Sequence, residues 1–257
     1  MTPLNLLTRA WRQRFDGIGP LLLKGDSELL GLSHVVMQRR SWNAAAREQP
    51  FARSDARFHL SLMPQPFFGD LKRARVFVLV LNPGLKRIDY FSELRVREYR
   101  DALVGNLRQH LDRDFPNIWF DPRFAWHSGA SYWNRRFAPI VDEFSEELGS
   151  RLKALSFISK SVAVLQLVPY HSARFKLPDR VNLESTRLAV NFVSRELRRR
   201  AKRGEVALVV GRQTDRWNLG DAPKLKYHTR TAYLTRETRE ELLGFLRDLL
   251  RGDCLDR

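Results

Sequence analysis

The sequence predicts an α/β fold, a three-layer α/β/α sandwich around a central, mostly parallel sheet of four strands. Short apolar runs rich in β-branched residues alternate along the chain with longer segments of helical periodicity, and this alternation is typical of parallel sheets flanked by helices. The runs are nearly continuous, which indicates strands covered on both faces. The predicted strands are Val76–Leu81, Val162–Val168, Val206–Val210 and the less apolar Lys224–His228, for which Thr231–Thr235 is the alternative.

Four long helices are predicted between and after these strands. Apolar residues recur in each segment at spacings of three and four, as one buried helix face requires. The segments are Leu94–Leu111, Phe137–Leu155, Leu183–Lys202 and Glu237–Leu250. No internal repeat or long low-complexity linker divides the chain. We therefore expect one domain over residues 1–257, with residues 1–70 as a helical and irregular extension packed on an α/β core of residues 71–251.

A strong positive charge is the main feature of the composition. The 257 residues include 45 Lys and Arg against 29 Asp and Glu, which gives a formal net charge of +16. An excess of this size favours contact with the phosphate backbone of nucleic acids. A genome-wide preference for arginine would explain arginine over lysine, but not the shortage of acids. We expect a nucleic acid as the partner, with no membrane and no obligate protein partner.

The apolar segments are too short for a membrane protein. None approaches the ~20 residues that a membrane-spanning helix needs. The N-terminal segment, residues 1–14, predicts an amphipathic helix rather than a signal peptide, because three arginines interrupt its apolar residues. The single cysteine, Cys254, excludes an intramolecular disulfide and a cysteine-based zinc site. These features predict a cytoplasmic protein that uses no metal and no other cofactor.

The first apolar strand runs directly into the motif Asn82-Pro83-Gly84. Proline cannot continue a central strand and glycine permits a sharp turn, so Asn82 is presented at the carboxyl end of the strand. Ligands of parallel α/β sheets bind beyond these ends. An asparagine there can accept a hydrogen bond from a water molecule and orient it for attack. For the motif alone, a plain turn is the alternative.

The order of the strand-end motifs resembles that of the uracil-DNA glycosylase superfamily. The stretch VLVLNPGL, residues 78–85, is similar to the motif of the mismatch-specific and single-strand-selective branches. ALVVGRQ, residues 207–213, resembles the strand before the last loop of that family, and His228 resembles the His or Asn that begins its DNA-intercalating loop. Phe124–Trp133 is similar to an aromatic segment that follows the first motif. The resemblance covers roughly residues 76–250 and rests on the ordered set, because each motif is short.

This resemblance implies the fold of that family and a monofunctional DNA glycosylase, which flips a base out of DNA and hydrolyses its N-glycosidic bond to leave an abasic site. A base inside a duplex cannot be attacked, so it must first leave the stack. Negative charge then develops on the departing base, where a hydrogen-bond donor stabilises it. The resemblance assigns the positioning of water to Asn82 and the donor to His228 or its neighbour. A phosphate contact is the alternative for His228.

The base-reading region departs from the uracil-specific pattern. Residues 165–172 read LQLVPYHS, whereas uracil-specific members carry an asparagine that reads the uracil edge. After the first motif, Asp89 is a candidate to assist the water, with a helix cap as the alternative. These departures predict a modified pyrimidine as substrate, such as an enlarged cytosine of phage DNA, rather than plain uracil. The candidate base-binding residues are Tyr90, Phe91, Gln166, Tyr170 and His171, and a place in the core is the alternative for Tyr90, Phe91 and Gln166.

Basic residues near the predicted strand ends are candidates for contacts with DNA phosphates. Lys86 also raises a bifunctional alternative, in which its amine forms a Schiff base with the sugar. The predicted phosphate contacts are Lys86, Arg87, Arg174, Arg212 and Arg230.

Three other functions stay open at this point. A non-catalytic nucleic-acid-binding module explains the charge equally well, but it does not require polar residues at the strand ends. An ordinary uracil-DNA glycosylase is the second. The third, a metal-dependent nuclease, lacks HxxxH, HxH or paired-acid spacing. It would need His127, His171, His228 and Asp89 to come together.

Overall fold

A computed structural model of the chain describes residues 1–12, 21–27, 35–36, 55–176, 182–211, 214–226 and 233–255. Two short strands, β1 (Val35–Val36) and β2 (Phe58–His59), pair in parallel with each other. The main sheet has five strands in the order β3-β5-β4-β6-β7. Their bounds are Phe67–Phe68 for β3, Val76–Val80 for β4, Val162–Gln166 for β5, Ala207–Val210 for β6 and Leu225–Lys226 for β7.

The main sheet is mixed. β4 pairs in parallel with β5 and β6, and β6 pairs in parallel with β7, whereas β3 is antiparallel to β5. The register aligns Val80 with Gln166 and Leu79 with Val210, so the carboxyl ends of the three central strands lie at one edge. The polar segments that follow these strands therefore meet there.

The prediction of four strands was wrong by one. β3 is only two residues long, and a strand this short carries no periodicity from which it could be predicted. The strand expected over Val162–Val168 ends at Gln166, although Leu167 and Val168 still donate backbone hydrogen bonds to Val80 and Leu81. The predicted strand Lys224–His228 corresponds to β7, which comprises Leu225–Lys226, and residues 227–232 lie outside the described part of the chain.

Nine α-helices surround the sheet within the described ranges. They are α1 (Pro3–Trp11), α2 (Lys24–Ser27), α3 (Arg87–Arg95), α4 (Arg97–Arg108), α5 (Ser128–Glu147), α6 (Arg151–Ser161), α7 (Glu184–Phe192), α8 (Arg198–Lys202) and α9 (Arg236–Leu255). A π-helical turn, Val193–Leu197, joins α7 to α8. In the part of the chain that is described, no helix is long and apolar enough to cross a membrane.

The helix predicted over Phe137–Leu155 is two helices, α5 and α6. Gly149 adopts a left-handed backbone conformation with φ of 64°, which breaks the helix and which glycine adopts without steric cost. Ser150 then caps the new helix, because its hydroxyl accepts the backbone N–H of Lys153 at 3.4 Å. Helical periodicity continues across this break, so it could not show the boundary.

The core forms around β4. Val76, Phe77, Val78 and Leu79 are all fully buried, and since successive side chains of a strand point to opposite faces, both faces of the sheet are covered here. Phe77 packs edge to face against Phe192 of α7, with ring centroids 6.2 Å apart. Trp11 of α1 belongs to the same hydrophobic cluster, so the N-terminal helix packs on the core of the sheet.

Candidate functional site

Asn82 lies where β4 ends, beside the segment that continues from β5. Its side-chain amide donates a hydrogen bond from Nδ2 to Oγ of Ser172 at 2.9 Å. The carbonyl oxygen, Oδ1, accepts no hydrogen bond from the described residues. Ser172 thus orients the amide and leaves its oxygen available to a water molecule or another donor.

His171 connects the same two segments. Its Nδ1 donates to the backbone carbonyl of Gly84 at 2.8 Å, so the ring is the tautomer that carries its proton on Nδ1. Burial lowers the pKa of His171 to about 4, which keeps the ring neutral at physiological pH. Gly84 has a φ of 74°, a conformation that side chains disfavour. The contact therefore holds the turn after Asn82 in a geometry that needs glycine.

Asp89 lies in the first turn of α3, directly after the motif. Its Oδ2 accepts the backbone N–H of Lys86 at 2.6 Å, and its Oδ1 lies 3.4 Å from Nε2 of His127. Burial raises the pKa of Asp89 to about 7, because the ionised carboxylate loses its hydration. The carboxyl group can therefore change its charge near neutral pH.

His127 is a neutral donor beside Asp89. Its Nδ1 accepts the backbone N–H of Gly129 at 2.9 Å, so the proton lies on Nε2, which is 3.2 Å from Oγ of Ser92. The ring stacks on Tyr99 with centroids 4.7 Å apart. Burial is the main reason why the pKa of His127 is lowered to about 3, and the nearby His171 and Lys86 lower it further. The imidazole is thus fixed in position, tautomer and charge.

Glu93 is a second buried carboxyl group, one turn after Asp89 on α3. Its Oε2 accepts the backbone N–H of Met63 at 2.8 Å, while its Oε1 is buried and has no partner in the described structure. Burial, and to a smaller extent the charge of Asp89, raises the pKa of Glu93 well above its usual value. Neither Glu93 nor His127 was among the predicted catalytic residues, although the four-residue spacing of Asp89 and Glu93 places them on one helix face.

The predicted stacking residues separate into one exposed and one buried side chain. Tyr90 is fully buried, and its hydroxyl lies 2.8 Å from Nδ1 of His59 and 3.2 Å from Oγ of Ser61. Its ring offers no face to a base in this arrangement. Phe91 is 36% exposed, and Trp126, next to His127, is 45% exposed. The sequence indicated Trp126 only as part of an aromatic segment.

Gln166 is the last residue of β5 and is buried. Its backbone N–H donates to the carbonyl of Pro66 at 2.9 Å. Its side-chain oxygen, Oε1, is buried without a partner among the described residues. An unsatisfied buried amide oxygen is costly, so a ligand with a hydrogen-bond donor would stabilise it.

Tyr170 is buried between the α/β core and the N-terminal part of the chain. Its hydroxyl donates to the carboxylate of Asp26 and accepts the backbone N–H of Leu23 at 3.2 Å. Asp26 also accepts the backbone N–H of Ser185 at 3.2 Å. In this arrangement Tyr170 connects three segments of the fold instead of lining an open pocket.

Replacing Tyr170 by phenylalanine is expected to destabilise the protein by about 1–3 kcal/mol, because Asp26 then loses a donor inside the protein. Chemical denaturation measures this change. The matched control is Tyr132→Phe, since Tyr132 is half-buried and its hydroxyl makes no hydrogen bond within the described structure. Equal stability of the Tyr170→Phe variant and the wild type would contradict a structural role for this hydroxyl.

Three of the predicted phosphate contacts are exposed side chains: Lys86, Arg87 and Arg174. His228, Arg212 and Arg230 lie outside the described residues. Among the residues that are described, no three His, Cys, Asp or Glu side chains come together as a metal site.

Comparisons with family models, with curated proteins and with solved structures find no match to this chain.

Proposed function

We propose that this protein is a monofunctional DNA glycosylase that hydrolyses the N-glycosidic bond of a flipped base and leaves an abasic site. The arrangement of Asn82 is the observation that carries the proposal. Its amide nitrogen is held by Ser172, and its oxygen remains available at the carboxyl end of a central strand. Ligands of α/β enzymes bind beyond these strand ends, so a water held by Asn82 would lie next to a bound substrate. The parallel pairing of β4 with β5 and β6 supports the proposal, because it brings the carboxyl ends of these strands to one edge.

In this proposal, Asn82 holds the attacking water through Oδ1. The water oxygen bonds to the sugar carbon, the bond from that carbon to the base nitrogen breaks, and the base leaves with the electron pair and takes up a proton from the solvent. The ionised form of Asp89 accepts the water proton, and its pKa of about 7 places both of its protonation states near neutral pH. His127 holds that carboxyl group in position through Nε2.

The proposed substrate is a modified pyrimidine, such as an enlarged cytosine. Support comes from Gln166, whose unpartnered Oε1 suits an amino group on a base edge. Trp126 is an exposed aromatic side chain on which a base can stack. The net charge of +16 supports DNA as the partner.

Mass spectrometry of released bases tests this function. Oligonucleotides would carry uracil, a thymine mismatch, 5-methylcytosine, 5-hydroxymethylcytosine or glucosylated hydroxymethylcytosine, and we expect release from an enlarged cytosine. Release of uracil alone would favour an ordinary uracil-DNA glycosylase. Tight binding of every DNA without any release would favour a non-catalytic module. Borohydride should trap no adduct, because a monofunctional enzyme forms no Schiff base.

A further inference from the structure

Arg136 is a buried cation on the inner face of α5. Only 8% of the residue is exposed. Its guanidinium carbon lies 3.2 Å from the ring centroid of Tyr132 and 5.1 Å from that of Tyr233. The charge is thus enclosed by two aromatic rings, of which the second precedes α9.

The hydrogen bonds of Arg136 leave its charge uncompensated. Its Nη1 donates to the backbone carbonyl of Tyr132 at 2.9 Å, and its Nε is buried with no hydrogen-bond partner among the residues that the structure describes. No carboxylate of the described chain forms an ion pair with it. Contacts with aromatic faces offset only part of the cost of burying a cation. A buried charge without an opposite charge beside it remains unfavourable, so an anion would stabilise this site.

The free edge of the guanidinium indicates which anion fits. Because Nη1 is used within the helix, the edge formed by Nε and Nη2 has no partner in the described structure. That edge donates two parallel hydrogen bonds and matches two oxygens of a phosphate group. Basic residues outnumber acids in this chain by 45 to 29, and a phosphodiester would supply negative charge at this site.

We propose that Arg136 binds a backbone phosphate of DNA on the side of the guanidinium that Tyr233 borders. Tyr233 is 42% exposed and lies 5.1 Å from the guanidinium carbon, so this side of the site is next to the protein surface, where a phosphate can approach. Tyr132 keeps its contact with the cation while the phosphate takes the place next to Nε. The choice of DNA as the source of the phosphate rests on the proposed function, whereas the anion site rests on the geometry of Arg136.

Fluorescence anisotropy on labelled oligonucleotides without any modified base tests this site. We expect Arg136→Met to weaken binding about tenfold and to reduce the slope of log affinity against log salt by about one. Arg136→Lys should weaken binding several-fold, because an ammonium lacks the planar fork. The control is Arg135→Met, which removes an exposed cation whose Nε donates to Ser131 of its own helix at 3.2 Å. This variant should bind within about twofold of the wild type.

Thermal melting of each variant separates binding from folding. An Arg136→Met protein that melts at lower temperature but binds DNA like the wild type would show that Arg136 stabilises the fold and does not contact DNA. This result would overturn the proposal. Equal losses from Arg136→Met and Arg135→Met would also overturn it. If Arg136→Met does not fold, the DNA affinity of Arg136→Lys tests the proposal instead. An affinity equal to that of the wild type would overturn it.

The source of the phosphate is tested separately, with inorganic pyrophosphate as the probe. Stabilisation of the wild type but not of Arg136→Lys by pyrophosphate, without any DNA binding, would overturn the choice of DNA. Because these measurements need no base release, a protein that binds DNA through Arg136 but releases no base would contradict only the glycosylase.

Discussion

Replacing Asn82 by alanine is expected to lower base release about a hundredfold or more while DNA binding stays within about twofold. The Asn82 side chain is held by Ser172 at 2.9 Å and its Oδ1 has no donor in the described structure. Its deletion therefore removes the oxygen that we propose orients the water, together with one hydrogen bond to Ser172. Single-turnover release and anisotropy, measured on the same oligonucleotide, give the two quantities.

Two further variants make this result specific. Ser172→Ala should lower release about tenfold, because Asn82 keeps its oxygen but loses the partner that orients it. Asn134→Ala removes an equivalent amide that donates to the carbonyl of Trp119 at 3.2 Å, and it should leave release unchanged. If Asn82→Ala releases bases at the wild-type rate, or loses DNA binding as strongly as release, water positioning by Asn82 is wrong.

Replacing Asp89 by asparagine is expected to remove most of the pH dependence of base release. In the wild type, release should rise between about pH 6 and pH 8 as Asp89 ionises, because only the carboxylate accepts a proton. An asparagine keeps the acceptor for the N–H of Lys86 but cannot act as a base. At about pH 8 we expect Asp89→Asn to be slower by about a hundredfold, and pH–rate profiles of both proteins measure this.

Although Asp89→Asn should release bases more slowly, its stability at high pH should be greater than that of the wild type. The pKa of Asp89 is raised from 3.8 to about 7 in the folded protein. Its contribution to stability is therefore fully present below pH 3.8 and is lost as the pH rises through 7. Each pKa unit corresponds to about 1.4 kcal/mol, so Asp89→Asn should be more stable than the wild type at about pH 8 by up to a few kcal/mol.

Glu93→Gln is the matched control for Asp89. Glu93 lies on the same helix, is also buried, and has a pKa raised by the same cause. Its replacement should share the gain in stability at high pH, because the amide still accepts the N–H of Met63, but it should retain release. If both variants lose activity equally, the burial of charge on α3 matters to the fold and Asp89 has no separate role in the reaction.

The positions of the central strands could be predicted from the sequence, because a strand that is buried on both faces is a continuous run of apolar residues. The apolar runs at 76–81, 162–168 and 206–210 each became a parallel strand. The place of Asn82 followed from the same local information, since proline and glycine end a strand wherever they stand. The short antiparallel strand Phe67–Phe68 and the break at Gly149 could not be predicted in this way.

The partners of the polar residues depended on the tertiary structure. Asp89 and His127 are far apart in sequence, and no periodicity relates them, yet the packing of α3 against the start of α5 places them 3.4 Å apart. The sequence predicted that Tyr90 and Tyr170 bind a base, but packing buries both side chains and gives their hydroxyl groups hydrogen-bond partners inside the protein.

Local chemistry was therefore enough to predict an α/β chain with a strong positive charge and an asparagine at a strand end, since each of these depends on neighbouring residues or on composition alone. The tautomers of His127 and His171, the raised pKa of Asp89 and the unpaired charge of Arg136 are different. Each is set by desolvation and by hydrogen bonds from residues brought together when the helices pack on the sheet. Those interactions exist only in the folded chain.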